Sequence, residues 1–307
     1  MSMVATQLRG VIAAVATPFD DADGIDEKAL RGQLDRILEN GAHGLMPVGG
    51  TGEFPHLSRA EKRTVIEIAA RAAGGKVPTI AGTSACSTKE ALELTRDARE
   101  AGADAAILVP PYYFRLTDDA IYRFYQAIAE AKILPIVVYN NPLYTGNDMN
   151  PDLIVRLCRV PGIIGIKQSN VDLGALVEII RHVGDTASIC TGIDSQFLSA
   201  LVVGAKGIFS TAAAVIPREM VQVYDYAQAG RIDQARELHL KLQVLNRFLE
   251  YDPGYVAPAK EALTMLGLPH GTPRHPMPPL TETERAGLRD ALQALGLFSR
   301  AGMTASR

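Results

Sequence analysis

Four short stretches of this chain carry side chains suited to carbonyl chemistry. The first is an apolar run that ends in an amine, Ile163-Ile164-Gly165-Ile166-Lys167. Drawing an ammonium out of water favours its neutral form, and a neutral amine adds to ketones to form Schiff bases. The same position also suits a structural ion pair with an acidic group. The second stretch is Val137-Val138-Tyr139-Asn140-Asn141-Pro142, whose tyrosine can pass protons between amine, carbonyl and leaving hydroxyl. The third is Gly49-Gly50-Thr51-Gly52-Glu53. Its glycines let the backbone approach a ligand, and free N–H groups with a threonine hydroxyl suit a carboxylate. Taken alone, such a segment is more often a plain turn. The fourth is Val109-Pro110-Pro111-Tyr112-Tyr113-Phe114, an aromatic cluster that by itself reads as packing or subunit interface.

These groups act together only if the fold gathers them. Eight apolar runs of strand length, at 11–16, 44–48, 77–82, 105–109, 135–140, 163–168, 188–191 and 207–211, alternate with segments of helical period. The runs are nearly continuous in apolar character, which predicts parallel strands buried on both faces. Helix starts are marked by Ser58-Arg59-Ala60-Glu61 and Ser87-Thr88-Lys89-Glu90, both of capping-box form. Asn150-Pro151 and Ile216-Pro217 place proline where a first helical turn tolerates it. The count matches an α/β fold of TIM-barrel type, a (β/α)8 barrel. A doubly wound open sheet would follow its first strand with a glycine-rich loop, which Thr17-Pro18-Phe19-Asp20 cannot supply. Residues 1–230 are assigned to the barrel as catalytic domain. Residues 231–307 are assigned to a C-terminal helical extension packed on it, with helices at 232–249, 257–266 and 281–295 and a stiff connector at 274–279.

A barrel places its reaction site at the carboxyl ends of its strands, and that rule sorts the nine lysines. Lys28, Lys62, Lys89, Lys132, Lys241 and Lys260 fall on or beside helices. Lys76 and Lys206 precede strands and so belong to the opposite face. Lys167 alone ends one.

Composition narrows the classes. With 31 basic and 34 acidic residues the net charge is -3, which gives no footprint for nucleic acid. No apolar run approaches the length of a membrane span. Cys86, Cys158 and Cys190 have no paired spacing and read as small buried side chains in a reducing, cytoplasmic setting. The six histidines show no close ligand spacing, so no metal site is assigned; His270 and His275, in a Pro-rich loop, read as surface residues.

Taken jointly and in order, GGTGE (49–53), PPYYF (110–114), YNNP (139–142) and GIKQS (165–169) resemble the dihydrodipicolinate synthase / N-acetylneuraminate lyase family of class I aldolases, over nearly the whole chain. The resemblance implies a barrel with a C-terminal helical extension, commonly a homotetramer built as a dimer of dimers, and a cofactor-free lyase. It implies that Lys167 forms an imine with pyruvate or another 2-keto acid, that Tyr139 transfers protons, and that Gly50 and Thr51 hold the keto acid's carboxylate. It implies that Tyr113 reaches into a partner's site and that Gly192 and Phe209 line the pocket. Two positions depart from the pattern. Gly50 stands where a hydroxyl residue would link Tyr139 to Tyr113, so the proton relay must be shorter, run through water or use the substrate. Tyr144 stands where the synthases have an arginine for the second substrate's carboxylate, and a phenol cannot supply that bidentate charged contact.

The reading is a Schiff-base-forming lyase that cleaves, condenses or dehydrates a 2-keto acid, with a 2-keto-3-deoxy sugar acid favoured as substrate. The alternative is 4-hydroxy-tetrahydrodipicolinate synthase, which condenses pyruvate with aspartate semialdehyde and would need another cation, Arg115 or Arg218 being the nearest guesses. A reading of another class is a catalytically silent keto-acid sensor. The expected partners are the small-molecule substrate and copies of the chain, with no nucleic acid and no membrane.

Overall fold

The computed structural model describes residues 8–250 and 254–298. Its strands are β1 (Gly10–Ala14), β2 (Gly44–Met46), β3 (Ile80–Gly82), β4 (Ala105–Leu108), β5 (Ile136–Asn140), β6 (Ile163–Gln168), β7 (Ser188–Thr191) and β8 (Gly207–Ser210). Between and after them lie helices α1 (Glu27–Glu39), α2 (Arg59–Ala73), α3 (Thr88–Glu100), α4 (Asp118–Glu130), α5 (Pro151–Cys158), α6 (Leu173–Val183), α7 (Phe197–Val202) and α8 (Pro217–Gln228). All eight strands run parallel in the order β2-β1-β8-β7-β6-β5-β4-β3. The ring closes where Leu45 pairs with Thr79 and the Gly82 N–H donates to the Pro47 carbonyl at 3.0 Å. The expected barrel is therefore the observed one, with every strand overlapping its predicted run.

Both strand faces are buried, for two different reasons. Ile12, Met46, Ile80, Ile107, Val137 and Phe209 point inward and fill the barrel. Their neighbours Val11, Leu45, Val138 and Ile208 point outward against the helices. This two-sided burial produces the nearly unbroken apolar runs.

One irregularity in the ladder matters for function. Ile136 pairs with Ile163, but Val137 pairs with Gly165, a one-residue shift between adjacent positions. Beyond it Tyr139 lies opposite Lys167. Side chains alternate along a strand, so a shift of one residue decides which of them face inward.

Helix starts follow the sequence signals with one exception. Ser58 and Glu61 form a reciprocal capping box, and Pro151 and Pro217 open their helices. Ser87 accepts from the Glu90 N–H at 3.3 Å, but the return bond is not made among the described residues. The Glu90 charge instead supports that of Lys62.

Three further helices, α9 (Ile232–Leu249), α10 (Val256–Met265) and α11 (Glu282–Ala294), pack on the barrel's side. Leu245, Leu249, Leu263 and Leu288 share one continuous core with β1, α1 and α8. The 274–279 connector is more than a stiff spacer, because Arg274 clamps it to the barrel. Its guanidinium reaches Glu61, Asp23 and the His56 carbonyl, and lies 4.2 Å from the Phe19 ring centroid.

Two surface-or-core expectations need correction. His270 is fully buried, because its loop folds back under the chain after β1, where the Phe19 N–H donates to the His270 carbonyl. Cys86 is exposed, because it sits in the open loop between β3 and α3; Cys158 and Cys190 are buried as expected. No helix among the described residues is long and apolar enough to cross a membrane.

Candidate active site

Lys167 points into the barrel mouth and is only 5% exposed. Its nitrogen lies 4.3 Å from the Tyr139 ring centroid and 5.9 Å from that of Phe209. Among the described residues no carboxylate comes within ion-pair distance of it. Lys260 provides the contrast. Also fully buried, it donates to Glu53 at 2.9 Å and to the Thr272 carbonyl at 3.0 Å, and lies over the Phe19 ring. The structural ion pair open to a buried lysine is thus realised at Lys260, whereas Lys167 faces space.

That space is a cavity of about 330 Å³ at the carboxyl ends of the strands, lined by Thr51, Tyr139, Lys167, Gly192, Asp194 and Tyr255 among others. A larger one of about 780 Å³ lies at the opposite end, beside Leu8, Lys132 and Lys206. It is bounded by chain that enters the strands, and barrel geometry assigns no reaction site there.

The loop after β2 is held in an unusual shape. Val48 and Glu53 bracket it with φ of +59° and +57°, a region that β-branched residues rarely enter. Glu53 is buried with both oxygens engaged: Lys260 on one, the Arg274 N–H at 2.9 Å and His56 at 3.2 Å on the other. Such over-determination is what allows backbone strain to persist at a site. The result places Thr51, 3% exposed, with its hydroxyl 2.9 Å from that of Thr211. The N–H groups of Gly50 and Thr51 donate to nothing among the described residues, which leaves them for an anion.

Tyr139 is nearly buried and its phenol oxygen accepts from the Asn141 amide at 3.0 Å. Gly192 has a steric reason: a Cβ there would collide with Lys167 Cε and Ser169 Oγ. Phe209 is fully buried and forms the floor below Lys167. Tyr144 sits half exposed on a one-turn helix, Pro142–Thr145, its ring edge-on to Tyr255 at 5.9 Å. Arg115 and Arg218 are exposed and line neither the 330 Å³ cavity nor the apolar one beside it. Tyr113 is 88% exposed with φ of +81°, apart from the cavity of its own chain.

Sequence reasoning missed Thr211, Tyr255 and a pair of carboxyls. Asp194 is buried beside the cavity, accepting from the Ser210 hydroxyl and, at 3.1 Å, from the Ala212 N–H. Burial pushes its carboxyl up to about 7 and the Glu250 charge adds to this, while the two hydrogen bonds and Lys167 oppose. Burial also raises Glu250, which accepts from the Ser195 N–H. Asp194 follows β7 by three residues, so the carboxyl-end rule could have flagged it. Tyr255 and Glu250 come from the extension, which no barrel rule addresses.

A sequence model described as the Dihydrodipicolinate synthetase family matches residues 7–295. A 4-hydroxy-tetrahydrodipicolinate synthase of Methanopyrus kandleri is 40% identical over 300 residues, 96% of this chain and 99% of that protein. Among solved structures, the chloride-inhibited dihydrodipicolinate synthase of Acinetobacter baumannii, complexed with pyruvate, is 38% identical with a TM-score of 0.90, covering 94% of this chain and 99% of that one. YagE, a prophage protein of the same family from E. coli K12 in complex with pyruvate, is 28% identical with a TM-score of 0.90, at the same coverage.

Proposed function

We infer the reaction from one premise: the chain belongs to the dihydrodipicolinate synthetase family. It is a Schiff-base-forming lyase that uses pyruvate. One observation carries the assignment of its chemistry to residues, namely a buried lysine without an ion pair facing a cavity beside a tyrosine. Lys167 attacks C2 of pyruvate. Tyr139 protonates the departing hydroxyl, water leaves and a protonated imine remains. The Gly50 and Thr51 N–H groups and the Thr51 hydroxyl hold the carboxylate, which fixes C2 against the amine. The imine then acts as an electron sink, and loss of a C3 proton gives an enamine that attacks an aldehyde carbon. The reverse sequence is carbon–carbon cleavage. Gly192 leaves room for the lysine's swing, and Tyr144 faces the second substrate.

The aldehyde that the relatives' names support is aspartate semialdehyde, in the synthesis of 4-hydroxy-tetrahydrodipicolinate. This reading ranks above the sugar acid favoured from sequence. The sugar acid stays as a second reading for one reason: among the described residues no arginine lines the cavity, while Asp194, Ser195 and Glu250 do, and they suit hydroxyls better than a carboxylate.

Tyr113 and its neighbour Phe114, both well exposed, support a tight dimer in which each Tyr113 completes the other protomer's site, two dimers forming the homotetramer. Residues 1–230 form the catalytic domain and 231–307 the extension. The buried, unpaired Cys158 and Cys190 fit a reducing cytoplasm.

The test is to incubate the protein with pyruvate and borohydride and map the adduct by mass spectrometry. An adduct on Lys167 is expected. An adduct on another lysine overturns the assignment, and none at all favours a silent sensor. Parallel assays with aspartate semialdehyde and with 2-keto-3-deoxy acids then decide the second substrate.

A further inference from the structure

Tyr255 belongs to the extension, at the start of α10, yet its hydroxyl enters the barrel mouth. A Cβ built on Gly50 would run into that hydroxyl, with the ring carbon bearing it 3.6 Å away. The phenol therefore fills the place that any side chain at position 50 would take. Tyr139, Tyr144 and Tyr255 together line the reaction cavity and the apolar one beside it. The Tyr144 and Tyr255 rings meet edge-on at 5.9 Å. Exposure rises along the series, from Tyr139 at 7% to Tyr144 at 48%. The Tyr139 oxygen accepts from Asn141, which leaves its own proton to donate.

We propose that Tyr255 is a proton-relay residue, passing protons between Tyr139 and the rim at Tyr144 within a single protomer. The assignment rests on the Schiff-base reading and deepens it. In imine formation the amine and ketone take up one proton and release one water. Tyr139 gives its proton to the carbinolamine hydroxyl as the C–O bond breaks. Tyr255 reprotonates Tyr139 and Tyr144 reprotonates Tyr255, each across a bridging water, and solvent restores Tyr144. No group is oxidised or reduced. Burial, with Tyr139 and Tyr144 adding, holds the Tyr255 hydroxyl well above its ordinary value, so it rests protonated. The path needs no partner subunit.

The experiment follows deuterium exchange at pyruvate C3 in D2O by NMR, which reports imine and enamine formation without any aldehyde. Tyr255→Phe is expected to slow the maximal exchange rate by about 10²-fold, the range of a lost acid–base group, with KM for pyruvate within about twofold. Gly50→Ser alone is expected to lose activity through the clash. In the Tyr255→Phe background the space is open, and the serine hydroxyl is expected to restore at least tenfold of the exchange. Wild-type exchange in Tyr255→Phe overturns the relay, as does a loss that Gly50→Ser fails to rescue or that lies wholly in KM. Borohydride trapping separates the two levels. A wild type without a Lys167 adduct sinks the parent reading. An adduct alongside full exchange in Tyr255→Phe sinks only the relay.

Discussion

Lys167 and Lys260 are both buried and opposite in their fate. Lys260 meets Glu53 and a carbonyl, and burial lowers its ammonium while the carboxylate holds it up. Lys167 meets two aromatic faces and a cavity. Asp194 is buried beside the same cavity, and burial pushes its carboxyl up to about 7. Above that pH its negative charge stabilises the cationic imine; below it the group is neutral. The pyruvate kcat/KM is therefore expected to rise through about pH 7 in the wild type. Asp194→Asn should lack that limb and run about tenfold slower at pH 8, the scale of one well-placed charge. A pH–rate profile of the two proteins checks this, and a retained limb near 7 in the variant would contradict it.

At the scale of elements, the active site depends on two arrangements that hold backbone in place. The first is the pairing shift between β5 and β6. In an unshifted register Lys167 would lie opposite Asn140, whose side chain is spent on Met149 and Asp148 outside the barrel. The sequence run Ile163–Gln168 carries no mark of this shift, because five of its six residues are buried on one side or the other. The second is the Glu53–Lys260 pair, which fastens the carboxylate-binding loop to α10. Removing one member of a buried pair leaves the other charge without compensation, at a cost of about 3–5 kcal/mol. Lys260→Met is expected to lower the urea midpoint accordingly and to raise KM for pyruvate by loosening Thr51. Unchanged stability in urea unfolding would show that the pair does not hold the loop. Both residues were visible in the sequence; that they touch across 207 positions was not.

For the molecule as a whole, the extension is a working part of the barrel. It supplies Tyr255 and Glu250 to the cavity, Lys260 to the loop anchor and Arg274 to the clamp. It also carries His270, which burial holds down to about 4 against 6.5 for a free imidazole. The unfolded chain therefore binds this proton first as pH falls. The stability tied to neutral His270 is complete above about 6.5 and is lost as pH drops through 4. Asp194 has the opposite sign, its contribution being full below 3.8 and lost as pH rises through 7. The two overlap, so the informative quantity is the difference between proteins. His270→Gln should be less stable than wild type at pH 7, and the gap should close by about 3 kcal/mol by pH 4. Urea midpoints at the two pH values measure it, and a constant gap would refute it.

The sequence alone determined the barrel, its strand positions and Lys167, because apolar runs and helix caps are local signals and strand order in a (β/α)8 barrel follows chain order. It also marked Tyr139 and Thr51, which stand at strand ends. Only the folded chain decided which way Lys167 faces, that Tyr255 occupies the room beside Gly50, and that Glu250 reaches the cavity from the extension. Those outcomes depend on register and on contacts between distant segments, and such contacts leave no trace in residue spacing.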